Sequence, residues 1–333
     1  MTTSIFIGLC GNKLPKSVFP TIQNGVSPVV RGLIKNWDSM EQLWHRVFYN
    51  ELEIKPEEHP LLYIESILNT IKDREKMGQI MFENYKIPSL FVLPSTFLTV
   101  LGNGLECGIC IESGDGITQF SVIADCVTYR PNDMTYNFAG SDLTENFINR
   151  MNDKGYNLNT PEMKNAAKNI KETLFYTVLD VNDEIKKDVK ELERSYKLPD
   201  GKEMIVGRER YGFPEALFNP SVIGLTQEGI HEFVCNCIGK MDDGLKAEVG
   251  PNIVLRSGNT MFPGFKERLA KEMNIIDSKL MPKFHVHDDP KLDAWIGGSF
   301  FAETMNLVDI SVTKEDYNER GPDCITQKFY FRH

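Results

Sequence analysis

A chain of 333 residues with 41% hydrophobic and 25% charged side chains lies within the globular range, which excludes a disordered tail. That length exceeds what a single core usually organises and predicts two packed domains. A formal charge of -10 and a pI near 5.2 argue against a broad face for a phosphate backbone, so nucleic acid is not an expected partner.

The start, Met1 to Leu14, has an apolar patch at Ile5 to Leu9 but no basic flank or cleavage pattern. Nowhere do about 18 apolar residues run without interruption, so a soluble, intracellular protein without a membrane partner is expected. Seven cysteines (Cys10, Cys107, Cys110, Cys126, Cys235, Cys237 and Cys324) are an odd number in apolar, strand-like stretches, which predicts free thiols in a reducing compartment.

Residues 107–124 read as strand, glycine-rich turn and strand around Ser113-Gly114-Asp115-Gly116. Two glycines let such a turn cluster its N–H groups and admit a phosphate, although the same four residues also make an ordinary hairpin turn. Cys107 and Cys110 have a zinc-compatible spacing, as do His285 and His287. No second cysteine pair lies at zinc-ribbon distance and His287 runs into Asp288 and Asp289, so a packed strand and a solvated loop are expected, with no metal.

Further on, Asp142 is a predicted N-cap with Glu145 completing a capping box, and Leu143, Phe147, Ile148 and Met151 form one apolar stripe that ends at Gly155. A second helix is predicted from about Glu162 to Val181. It places Ala166, Ala167, Ile170, Leu174 and Val178 inward and Lys171 and Glu172 near the polar edge. The run Ile253-Val254-Leu255, the loop from Gly258 to Gly264 and the residues Phe265, Leu269 and Met273 read as strand, glycine loop and helix, an arrangement that can receive an anion or a nucleotide. Trp295 to Ala302 sets aromatic bulk beside Gly297 and Gly298, which predicts close helix packing against a groove. Strands alternating with helices of this length make the fold class α/β.

Nine segments then fall in one recognisable order: W-D-S-M-E-Q-L-W-H at Trp37 to His45, F-Y-N-E-L at Phe48 to Leu52, P-E-E-H-P at Pro56 to Pro60, R-E-K-M at Arg74 to Met77, S-G-D-G at Ser113 to Gly116, A-G-S-D-L-T at Ala139 to Thr144, Y-x-L-P-D-G at Tyr196 to Gly201, P-E-A-L-F at Pro214 to Phe218 and W-I-G-G-S at Trp295 to Ser299. From Val18 to Pro322 the chain resembles actin and its relatives. The resemblance implies an actin-like two-domain fold, with two ribonuclease-H-like domains around a nucleotide cleft. It assigns 1–100, 101–136 and 293–333 to the first large domain, and 137–292 to the second, with an appended subdomain at about 173–225. The other small subdomain, which in the family carries the loop that grips the next filament subunit, is reduced to about 23–36.

The resemblance also implies a damaged phosphate end. The family's first phosphate loop has an Asp, a Gly-Ser-Gly-type turn and a Lys, whereas Ile5 to Pro15 keeps only Gly8 and Gly11. Glu112 replaces the Asp that organises the metal's water shell, Ser95 the water-orienting Gln, and Gln119 the catalytic His. Several contributions of about 10²-fold each are then lost together, so negligible ATPase activity is expected and no catalytic residue carries over. The matching nucleotide contacts are Gly114, Asp115, Gly116, Gly140, Lys171, Glu172, Gly258, Asn259, Met261, Phe262 and Lys291, although Ser257 and Asn259 stand where Gly and Thr are common. The cofactor implied is ATP or ADP, with or without Mg²⁺, or an empty cleft. The partner groove maps to Leu101, Gly104, Ile296, Phe300, Phe301, Thr304 and Ile310, and one of the two phenylalanines is expected in the core.

The resemblance implies a cytoplasmic, cytoskeletal protein, monomeric alone, whose partners are actin or actin-like filament subunits, actin-binding proteins or a cytoskeletal complex. A non-hydrolysing subunit or pointed-end cap fits best. A nuclear chromatin-remodelling scaffold and a working, polymerising ATPase are the alternatives.

Overall fold

The computed structural model describes residues 4–21, 27–129, 133–287 and 289–329. The chain opens with an antiparallel hairpin of β1 (Ser4–Ile7) and β2 (Ser17–Pro20). A second hairpin, β3 (Val29–Val30) and β4 (Leu33–Ile34), turns through Arg31 and Gly32 at φ 49° and 77°. Two left-handed residues in succession suit a tight hairpin; glycine adopts that backbone freely, and Arg31 does so against its own preference. This hairpin is what stands in the expected 23–36 remnant, of which 23–26 lie outside the described residues.

Next come α1 (Trp37–Arg46), capped by the Asn36 side chain, which accepts from the Ser39 N–H, and a wider π-helical turn over Val47–Leu52. Strands β5 (Leu61–Glu65) and β6 (Ser89–Pro94) pair in parallel across α2 (Ile71–Gln79). Glu65 and Arg74 form a fully buried ion pair between β5 and α2. Directly from β6 the chain enters α3 (Ser95–Gly102), which leads to the second sheet.

That sheet begins with β7 (Gly108–Ser113) and β8 (Thr118–Ala124), the predicted hairpin, and continues with β9 (Val127–Thr128) and β10 (Met134–Tyr136). Helices α4 (Gly140–Asp153) and α5 (Pro161–Leu174) follow. The stretch expected as an appended subdomain holds the short helices α6 (Val181–Ile185) and α7 (Val189–Leu192), the hairpin β11 (Arg194–Lys197) and β12 (Glu203–Val206), and α8 (Glu209–Glu215). After α9 (Ile230–Gly239) and α10 (Asp243–Val249), β13 (Asn252–Arg256) joins β7 in parallel; α11 (Phe265–Ile276) then leads to β14 (Lys283–His285) on the far edge. The order is β10-β8-β7-β13-β14.

The chain returns through α12 (Asp293–Thr304), which lies on α3, then α13 (Leu307–Ile310), β15 (Val312–Thr313) against β6, α14 (Lys314–Arg320) and α15 (Asp323–Phe329). Alternation along β7 sorts the two cores. Ile109 and Ile111 pack with Phe147, Ile170 and Leu269 of the second lobe, whereas Cys110, with Ile123 and Val254, faces the core of the first, beside Leu98.

Several expectations need correction. Residues 108–136 belong to the second lobe, because β7 is hydrogen-bonded to β13; the boundary placed at 136 falls instead near 107. Helix α4 starts earlier, at Gly140, and Asp142 lies in its first turn, where Oδ2 reaches back to accept from the Ala139 N–H at 2.9 Å. Asp142 thus takes the part given to Glu145. Helix α5 stops at Leu174 rather than Val181, since the next N–H groups turn elsewhere: Tyr176 to the Arg210 carbonyl and Thr177 to that of Pro263. Lys171 is not on a polar edge but buried, 3% exposed. His285 lies in β14 beside Asn252 rather than in a loop, whereas His287 follows the strand in a loop with its side chain 40% exposed and Nδ1 2.6 Å from the buried Asp293 carboxylate; Asp288 is outside the described residues.

The predicted close helix contact is present at α3 and α12. A Cβ on Gly297 would stand 1.8 Å from the Leu98 carbonyl oxygen, whereas one on Gly298 would meet only methyl groups of Leu62, Ile64 and Leu98, at 3.3–3.4 Å. Gly297→Ala should therefore lower the unfolding free energy by about 2 kcal/mol, because backbone cannot step aside as side-chain tips can. Gly298→Ala should stay within about 0.5 kcal/mol, its packing cost offset by helix propensity. Urea unfolding of both variants checks the pair.

Candidate functional site

Four chain segments end at one point between the lobes: α3 begins there with Ser95, β7 arrives with Glu112, β8 leaves with Gln119 and β13 ends with Arg256. The register explains the gathering. Glu112 lies opposite Gln119 in the antiparallel pair and beside Arg256 in the parallel one, and such neighbours project from the same face. Glu112 Oε1 pairs with Arg256 at 2.5 Å and accepts from the Ser257 hydroxyl at 3.2 Å. Its Oε2 accepts from Gln119 Nε2 at 2.6 Å and from the Ser95 hydroxyl at 3.0 Å. Gln119 Oε1 in turn accepts from Ser66 at 3.4 Å.

Burial pushes the Glu112 carboxyl up, but the Arg256 charge together with the bonds from Gln119, Ser95 and Ser257 outweighs it and holds the group below its ordinary value of 4.5. Arg256 Nε has no hydrogen-bond partner; being a donor, it cannot be satisfied by a cation.

The adjoining Ser113–Gly116 turn is likewise engaged from within. Gly140 N–H bonds the Gly114 carbonyl at 2.9 Å and Ser141 N–H that of Asp115 at 2.7 Å, so these N–H groups at the start of α4 are already in use. Asn259 Nδ2 donates to Ser113 Oγ at 3.1 Å and to the Gly114 carbonyl at 2.9 Å. Lys171 Nζ donates to the Gly140 carbonyl at 2.7 Å and lies 3.6 Å from Asp115. Burial pulls the lysine down from its ordinary value, with Asp115 and Glu172 opposing.

Gly114, Asp115, Lys171, Glu172, Gly258, Asn259 and Phe262 converge around a cavity of about 10 Å³. Met261 is exposed and Lys291 half-exposed, and neither lines it. Gly116 lies under a different neighbour, the backbone of Arg31, and Gly140 is pressed between Asn259 and Lys171.

On the opposite side of α3 and α12, Phe301 is half-buried against the first core, stacked on Phe91 with centroids 5.5 Å apart, while Phe300 is 50% exposed. Leu101 and Ile310 also pack against the first core, which leaves Gly104, Ile296, Phe300 and Thr304 as the open part of the expected groove. Cys107 stands just before β7, half-exposed, with its thiol 3.0 Å from Glu248 and near Asp125.

The actin family model matches residues 10–330. This chain belongs to the actin family. Its two α/β lobes joined at α3 and α12 agree with the actin-like fold implied by the sequence resemblance. The family binds ATP or ADP with a divalent metal in the cleft, so the fit of such a group to these residues decides what the cleft can do. At the cavity bounded by Gly114, Lys171, Asn259 and Phe262 the fit is poor: pockets for ligands of this size hold several hundred Å³, against room there for about one water. The carboxylate that would face the metal is neutralised by Arg256.

Neither Arg256 nor Arg31 belongs to a motif that draws attention. The one available signal for Arg256 is that it is a lone charge at the end of the apolar run Ile253-Val254-Leu255, where strand alternation fixes the face it must share with Glu112.

Because the folded Glu112 titrates below its ordinary value, its contribution to stability is complete above about pH 4.5 and is lost as pH falls below that toward the folded value. Glu112→Gln should remove this part of the acid dependence and cost about 3 kcal/mol at neutral pH, since the Arg256 charge loses its partner. Denaturant titrations of both proteins between about pH 3 and pH 7 measure the two effects.

Proposed function

We propose that this actin-family protein is a structural, cytoskeletal subunit that does not hydrolyse ATP and that caps the pointed end of an actin-like filament. One observation carries the first half: Ser95 and Gln119, which stand in place of the family's water-orienting Gln and catalytic His, both donate to Glu112. Hydrolysis needs a positioned water and a group that accepts its proton. An amide has no usable basicity near neutral pH, and here its donor is spent on a carboxylate that is itself paired to Arg256. Phosphate release with magnesium and excess ATP should not exceed the buffer rate over hours, and Ser95→Gln with Gln119→His should not restore it. Turnover like that of a polymerising actin would overturn this reading.

The second half is supported by asymmetry between the two ends. The open part of the groove keeps an exposed Phe300 beside Ile296, whereas the gripping subdomain is replaced by the two-residue strands β3 and β4. Filaments of head-to-tail subunits grow only when both complementary patches are present on each subunit. A subunit with the groove alone joins a pointed end and offers the next subunit little to hold; by itself it stays monomeric. Growth seeded at both ends with cognate actin should then stop at the pointed end and continue at the barbed end. Long filaments of this protein alone, or blockage at barbed ends only, would refute the cap.

A further inference from the structure

We infer that the β3–β4 turn is a tethered crosslink that holds the two lobes together across the cleft in place of a nucleotide. The inference goes beyond the absence of hydrolysis and does not depend on it.

The base of the hairpin is rooted in the first lobe. Val29 and Ile34 pack against that core, and the N–H groups of Lys35 and Asn36 close the hairpin on the Pro28 carbonyl. Its tip lies on the second lobe. The Arg31 guanidinium reaches both carboxylate oxygens of Asp142, at 2.7 Å and 3.3 Å, and approaches the carbonyls of Gly116 and Asn137, each at 3.4 Å. The forked, planar group suits this set of acceptors in a way an ammonium would not. Asp142 is held for the purpose by its own bond from the Ala139 N–H at the start of α4.

Steric fit independently places the tip at the glycine turn. A Cβ on Gly116 would lie 3.2 Å from Arg31 Cα and 3.3 Å from its N, and one on Gly32 would lie 3.8 Å from Ile117 Cγ2. The backbone of the turn therefore rests on the Ser113–Gly116 turn, which the family resemblance assigns to phosphate. Two further bonds, Ser95 to Glu112 and Ser66 to Gln119, join the same two lobes within this cleft. A nucleotide closes such a cleft by touching both walls and does so in proportion to its concentration. A covalently attached occupant is present at a fixed effective concentration, so closure becomes a property of the folded chain.

Hydrogen exchange on the full-length protein tests this, read at residues 114–117 and 139–143 with β6 as the internal reference. In the parent protein millimolar MgATP should alter exchange at these amides by less than about twofold. Arg31→Ala should speed it about fivefold without affecting β6, as expected for loss of one largely solvent-exposed ion pair with its local closure. Gly116→Ala, which leaves Arg31 intact but lifts the turn, should reproduce the effect. Unchanged exchange in both variants would overturn the crosslink, and so would about tenfold or greater protection of the parent protein by MgATP. That last result would leave the non-hydrolysing reading standing, since phosphate release reports on it separately.

Discussion

A carboxylate withdrawn from water must be compensated by charge and hydrogen bonds, and in this protein Glu112 is compensated by the Arg256 charge and by bonds from Ser95, Gln119 and Ser257. That single pairing with Arg256 shapes everything around it. It neutralises the negative charge that would attract a metal, it turns Ser95 and Gln119 into donors to a side chain, and it ties the ends of β7, β8 and β13 to the start of α3. With the wall closed at this point, Asn259 and Lys171 can settle on the carbonyls of the neighbouring turn and of Gly140.

Closure of the cleft is consistent with the way the lobes are joined elsewhere. Helices α3 and α12 meet backbone to backbone at Leu98 and Gly297, a contact tight enough to allow no Cβ. Asp293, buried at the first turn of α12, accepts from Asn103 at 3.3 Å just beyond α3 and pairs with His287 at 2.6 Å. Burial raises its carboxyl above the ordinary value, with His287 and Asn103 opposing. The hinge side and the cleft side are thus both held by internal polar contacts, and the opposite face of the second sheet adds Cys110, Ile123 and Val254 to the first core.

On the proposed reading, the short β3–β4 hairpin links the reduced subdomain to the cleft. The tip of this short hairpin reaches Gly116 while its base, at Val29 and Ile34, packs on the first core. Its left-handed Arg31 is a strained choice for a non-glycine residue, tolerated because the guanidinium is held by Asp142. Under the proposed reading, the hairpin that stands in for a filament contact also lies against the glycine turn of the cleft.

Much of this was legible in order and spacing. Period-two alternation around a Ser-Gly-Asp-Gly turn is enough to specify the β7–β8 hairpin, and a glycine pair beside Trp295 is enough to announce a close helix contact, because these patterns are set by local geometry. The segments shared with actin carried the fold class. Tertiary structure alone decided the ends of α5, the burial of Lys171 and the lobe to which β7 to β10 belong, since each depends on a hydrogen-bond partner distant in sequence. It also decided the fate of the cleft. Arg31 and Arg256 are ordinary surface-type residues in a linear reading, separated from Asp142 and Glu112 by 111 and 144 positions. A salt bridge carries no local periodicity, so only the folded chain, by fixing which strands are neighbours and where a short hairpin lands, brings those charges within reach of one another.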